Sequence, residues 1–216
     1  MCSPKQIAEQ IAKQLLTIEA VKLNVRQPFT WASGLRAPIY CDNRKVLSYP
    51  TIRTLITKYL VEAIQKKFSA VEGIAGVALA GIPQGALVAA TLELPFLYVR
   101  SRPKGHGLEN SVEGALKKRQ KLVVVEDLIS TGISSLQVCK TLQASDAKVL
   151  GVIAIFSYGF LVATKNFQAA GIPLCCLSNY SVLIQQAEAQ SYLDQATLQS
   201  LKKWQKDPTS WRPTGA

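Results

Sequence analysis

The sequence is poor in histidine and methionine, with one of each in 216 residues, and its 14 acidic side chains are few beside 25 basic ones. Its five cysteines (Cys2, Cys41, Cys139, Cys175, Cys176) form no CxxC pair. A single histidine and the lack of that spacing argue against a structural zinc site. The thiols read instead as reduced and buried, which predicts a cytoplasmic protein. An apolar leader is missing as well, because Lys5, Glu9, Lys13 and Glu19 punctuate residues 1–20, so no secretory signal is expected. Residues 73–92 carry no charge, but Gly73, Gly76, Gly81, Pro83 and Gly85 interrupt them. A lipid-facing helix would not keep that irregularity, so no membrane association is expected. Repeats and low-complexity linkers are absent too. With 48% hydrophobic and 18% charged residues, the chain can bury a full core, which excludes disorder and predicts one domain over 1–216.

The net charge of +11 raises nucleic acid as a partner, but its distribution points elsewhere. Residues 36–67 hold seven bases against Asp42 and Glu62, and residues 100–121 hold seven against Glu109 and Glu113, a net of +5 in each. An excess concentrated in two segments suits a site for small polyanions, and no nucleic-acid partner is expected.

Periodicity predicts alternating elements. Helical spacing covers 6–17, and residues 21–25 and 29–31 read as short strands around a turn at Gln27-Pro28. A helix follows over 49–68, with Ser48 as its cap. Strands are expected at 73–79, 95–99, 121–125, 149–156 and 174–177. Helices are expected at 85–92, 134–145, 166–170, 181–189 and 197–205, with a turn at 80–84 and a long polar loop at 101–114. The alternation predicts a mostly parallel α/β sheet with helices on both faces.

One segment carries chemistry: Leu122-Val-Val-Val-Glu126-Asp127-Leu128-Ile129-Ser130-Thr131-Gly132-Ile133-Ser134. A buried strand ends in two acids at the edge where α/β folds bind ligands. A small, hydroxyl-rich loop then leads into a helix, whose first amides can cradle a phosphate. Carboxylates for hydroxyls beside a phosphate cradle address the two ends of a sugar phosphate.

All thirteen positions resemble the phosphoribosyl pyrophosphate motif of type I phosphoribosyltransferases. Two further segments resemble the orotate phosphoribosyltransferase family in particular. Residues 29–44 (FTWASGLRAPIYCDNR) are similar to its amino-terminal signature, and residues 100–107 (RSRPKGHG) to its mobile catalytic loop. The chain departs from some members at Ala32, Ala80 and Ser101, where those carry lysine, and around residues 156–158, where many carry an arginine for the base.

The resemblance implies a type I phosphoribosyltransferase fold. Its mostly parallel central sheet would be flanked by helices, under a small hood formed by residues 1–45, with C-terminal segments as candidates to join it. It implies an enzyme that moves the phosphoribosyl group of 5-phosphoribosyl 1-pyrophosphate (PRPP) to orotate, in the synthesis of UMP. Glu126 and Asp127 would hold the ribose hydroxyls, and residues 128–134 (Leu128, Ile129, Ser130, Thr131, Gly132, Ile133, Ser134) the 5-phosphate. Ala80 and Gly81 would take the pyrophosphate, and Arg100, Lys104 and His106, in a mobile loop over 100–114, would be catalytic. Arg36 or Arg44 would meet the orotate carboxylate, and Ser130 the ring. Mg²⁺ would be held mainly by PRPP, with Asp127 as a contact through water. Family members are homodimers whose loop reaches the partner's site. Two other readings stay open: a purine phosphoribosyltransferase, against which residues 29–44 argue, and a PRPP-sensing regulator that binds nucleic acid, against which Arg100, Lys104 and His106 argue.

Overall fold

The chain begins with helix α1 (Pro4–Thr17), capped by Ser3, whose hydroxyl accepts from the Gln6 amide. Four short strands follow: β1 (Val21–Leu23), β2 (Phe29–Thr30), β3 (Arg36–Ala37) and β4 (Ile39–Cys41). A 3₁₀ helix (Asn43–Ser48) leads into α2 (Pro50–Lys67). Then come β5 (Gly73–Val77), α3 (Gly81–Leu92), β6 (Phe96–Val99), β7 (Val112–Glu113), β8 (Lys121–Ile129) and α4 (Ile133–Ala144). The chain closes with β9 (Lys148–Ser157), α5 (Leu161–Ala170), β10 (Leu174–Asn179), α6 (Tyr180–Ala189) and α7 (Gln195–Lys206). This computed structural model describes residues 2–31, 33–100, 111–190 and 192–213.

Six strands form one sheet in the order β10-β9-β8-β5-β6-β7, parallel except for β7 at the edge. Chain order reverses between β8 and β5: β9 and β10 extend to one side of the pair, β6 to the other. The carboxyl ends of β5 and β8 therefore border the crevice in which such sheets place ligands. Alternation along β8 divides its apolar side chains. Val123 and Val125 join the core under α1, α2 and α6, whereas Leu122 and Val124 join the core under α4 and α5.

Several boundaries differ from the sequence pattern. The strands around Gln27-Pro28 do not pair with each other: β1 pairs with β4, and β2 with β3. Strands of two or three residues are too short for periodicity to reveal their partners. Ser48 does not cap α2; it ends the 3₁₀ helix, and α2 starts at Pro50 after Tyr49 with no side-chain cap. Proline suits that first position, since its missing N–H would have had no helical partner there. The turn expected at 80–84 is mostly helix, because α3 starts at Gly81. Pro83 is harmless in a first turn for the same reason. Strand β8 runs four residues past the expected end and includes both acids. Among the described residues, no helix is long and apolar enough to cross a membrane.

Candidate active site

The loops after β5 and β8 border one cleft of about 300 Å³. Ala78, Leu79 and Ala80 form one lip, residues 130–135 form the other, and Glu126, Asp127 and Leu128 lie between. Two segments far apart in sequence, Ala80 and the acid-to-serine run, thus meet as expected. Ile129 does not reach this lining: it is 1% exposed and packs in the core. Gly81 lies behind it, so close to β8 that a Cβ would collide with the Val125 carbonyl oxygen. That approach fixes where α3 begins.

Both helices that begin at the cleft start without a side-chain cap, as do α2 and α5. α1, α6 and α7 are capped by the side chains of Ser3, Asn179 and Asp194. α3 and α4 follow Ala80 and Gly132 without any side-chain cap. The first amides of α4 remain open to an anion, whereas at α3 the Ile82 amide donates to the Leu79 carbonyl at 3.2 Å; both helix dipoles favour an anion. Gly132 has φ +77°, and a Cβ there would lie 2.5 Å from the Phe167 ring, so glycine is required both by backbone and by space. The resulting cleft offers anion cradles on two sides and carboxylates between them.

The two acids face different surroundings because they alternate along β8. Glu126 is buried; its Oε2 accepts from the Ser135 hydroxyl at 3.1 Å and its Oε1 from the Asp127 amide at 3.1 Å. Burial first, and the neighbouring Asp127 charge second, push its carboxyl well above the ordinary range. Asp127 is partly open and raised more modestly, again chiefly by burial. Its carbonyl accepts from Asn43 Nδ2 at 2.7 Å, which ties the 3₁₀ helix to the end of β8. Ser135 and Asn43 were not singled out by sequence. Ser135 lies one residue past the motif, and nothing local announces that Asn43 meets a strand 84 positions away.

The basic candidates are placed less uniformly. Arg100, just beyond β6, has Nη1 3.4 Å from Glu113 Oε1 on β7. Arg44 Nε lies 2.6 Å from Asp42 Oδ1; that hydrogen bond lowers the Asp42 carboxyl and raises the Arg44 guanidinium. Arg36 is exposed on β3. Lys104 and His106 lie outside the described residues. Behind the acids, Trp31 packs against Tyr158 with ring centroids 4.7 Å apart and planes tilted by 35°. Among the described residues, no group of three or more His, Cys, Asp or Glu side chains is arranged to hold a metal.

No family model matches the chain. A Cytophaga hutchinsonii protein named orotate phosphoribosyltransferase is 52% identical over 204 residues, 94% of this chain and 98% of its own. One of the same name from Streptococcus mutans is 51% identical over 206 residues, covering 95% and 99%. Among solved structures, the orotate phosphoribosyltransferase of Aeropyrum pernix aligns with a TM-score of 0.74 at 27% identity, over 85% of this chain and 99% of that one.

Proposed function

Because the chain belongs to the orotate phosphoribosyltransferase family, we propose that it transfers the phosphoribosyl group of PRPP to orotate, yielding orotidine 5′-monophosphate and pyrophosphate. The observation that carries this reading is the cleft between β5 and β8, with carboxylates set between two uncapped helix starts. PRPP has the matching layout, a ribose diol between a phosphate and a pyrophosphate. In this reading the open amides of α4, with Ser130, Thr131 and Ser134, hold the 5-phosphate. Glu126 and Asp127 hold the ribose hydroxyls, and the Ala80–Gly81 start of α3 receives the pyrophosphate.

In the reaction the bond from the anomeric carbon to the pyrophosphate oxygen breaks, and its electron pair leaves with pyrophosphate. The orotate ring nitrogen forms the new bond, and its proton passes to the departing pyrophosphate or to water. Arg100, Lys104 and His106 meet the negative charge growing on the leaving group, which is where fixed cations accelerate most. Arg36 or Arg44 meets the orotate carboxylate, and Ser130 the ring. Closure of the loop between β6 and β7 excludes water from the activated ribose.

The donor set also fits Mg²⁺ in one form. Glu126 is already engaged by Ser135 and a backbone amide, which leaves Asp127, among the described residues, as the one partly open carboxylate in the cleft. One carboxylate suits an ion carried in on phosphate oxygens, with Asp127 reached through water, and does not suit a cage of protein ligands. Such an ion would draw charge from the pyrophosphate as a Lewis acid. The free cysteines suit a reducing compartment; in this reading the enzyme works in the cytoplasm, as a step of UMP synthesis, and is a homodimer whose loop reaches the partner's site.

The test is direct. Orotate absorbance should fall when the protein is mixed with orotate, PRPP and Mg²⁺, and Lys104→Ala should slow that fall by about 10²–10³, the worth of one oriented transition-state donor. Turnover of adenine with none of orotate would refute the assignment.

A further inference from the structure

The hydrogen bond from Asn43 to Asp127 does more than join two segments. Asn43 is 2% exposed, and both ends of its amide are engaged. Nδ2 donates to the Asp127 carbonyl at 2.7 Å, and Oδ1 accepts from the Cys41 thiol at 3.2 Å. A carbonyl can only accept, so the Asp127 contact must take the nitrogen, which fixes the amide in one orientation and leaves its oxygen to accept from the thiol.

The Asp127 carbonyl needs such a partner. On the β5 side of β8, the Lys121 carbonyl accepts from the Glu72 amide. Asp127 lies on the same alternation, but the last pairing between the two strands is Gly76 with Val125. Past that point the sheet offers the carbonyl nothing. The preceding peptide group matters as well, because the Asp127 amide donates to Glu126 Oε1 at 3.1 Å. Both acids therefore depend on one residue's backbone: its N–H steadies Glu126, and its C=O is held by Asn43.

We propose that Asn43 is a positioning residue, which sets the Asp127 backbone so that the two carboxylates present a fixed pair of acceptors to the ribose diol. Cys41 orients the Asn43 amide and so acts one step further out. The inference rests on the reading that these acids hold the ribose. It adds that their geometry is imposed from the amino-terminal segment, which also carries the base-side candidates Arg36 and Arg44.

Calorimetric titration of the full chain with ribose 5-phosphate and, separately, with pyrophosphate tests it. Asn43→Ala should weaken ribose 5-phosphate about tenfold, the worth of one buried hydrogen bond, and leave pyrophosphate within about twofold. A general loosening of the fold would weaken both. Equal loss for the two ligands, or no loss for ribose 5-phosphate, overturns the proposal. Should Asn43→Ala fail to fold, Cys41→Ala and Cys41→Ser decide the matter. The alanine should lose ribose 5-phosphate affinity about threefold, the low end for one neutral hydrogen bond, and the serine, which still donates, should recover most of it. Identical affinities in the two variants count against it. Asp127→Asn separates the layers. If it binds ribose 5-phosphate as the wild type does, the reading of the acids fails and the inference goes with it. If it loses that affinity and Asn43→Ala does not, only the inference falls.

Discussion

Glu126 and Asp127 are neighbours with the same functional group, yet the fold treats them differently. Glu126 points toward α4, with Ser135 and a backbone amide as its partners; Asp127 stays partly open beside the amino-terminal segment. Burying Glu126 costs stability in a pH-dependent way, and the sign follows from its raised carboxyl. Below the ordinary carboxylate range the group is protonated in both folded and unfolded chains. As pH rises through that range the unfolded chain ionises first, the folded chain binds more protons, and stability declines. Glu126→Gln keeps the shape and removes the titration. Its melting temperature should match the wild type near pH 4 and exceed it near pH 8. Turnover should fall at the same time, because the ribose loses a carboxyl partner. Parallel melting curves at both pH values would show that Glu126 carries no such burden.

At the scale of elements, α7 shows what the sequence could and could not reveal. Periodicity located this helix, but not its place in the fold. Trp204 is fully buried and meets Trp31, Tyr158, Phe160 and Tyr180, with centroids 5.3–6.0 Å away. Trp211 donates to Ser200 Oγ at 3.0 Å and closes the end of the helix. The long β-branched strands and the acid-to-serine motif were legible because one buried strand and one loop chemistry lie within a single window. The short strands β3, β4 and β7 were not, and β2 was found without its partner β3, since two or three residues carry too little alternation to show a strand or its pairing. The same holds for Asn43 and Ser135: each is an ordinary polar residue until the chain folds. Trp204→Ala should cost about 3–5 kcal/mol, as large core truncations do, measured by denaturant unfolding. Its effect should spread to the amino-terminal segment through Trp31. A loss below about 1 kcal/mol would mean that the cluster repacks around the gap.

For the whole molecule, the site is a meeting of three distant regions: the start of α3, the end of β8 with the start of α4, and the segment around Asn43. A fourth region, the loop that contains Lys104 and His106, completes it in the proposed enzyme. If that loop reaches into the partner's cleft in a homodimer, two defective chains can repair each other. Lys104→Ala keeps the acids and lacks the loop lysine; Asp127→Asn keeps the lysine and lacks the acid. Random reassortment makes about half the dimers mixed, and each mixed dimer would hold one complete site of two, so about a quarter of wild-type turnover should return. Each variant alone should stay near its own low baseline. With subunit exchange demonstrated by a tagged pair, an unchanged rate after mixing would mean that each loop serves its own cleft. The same outcome would leave the assignment of Lys104 intact, since that rests on the single variant, and would remove only the sharing of sites between subunits.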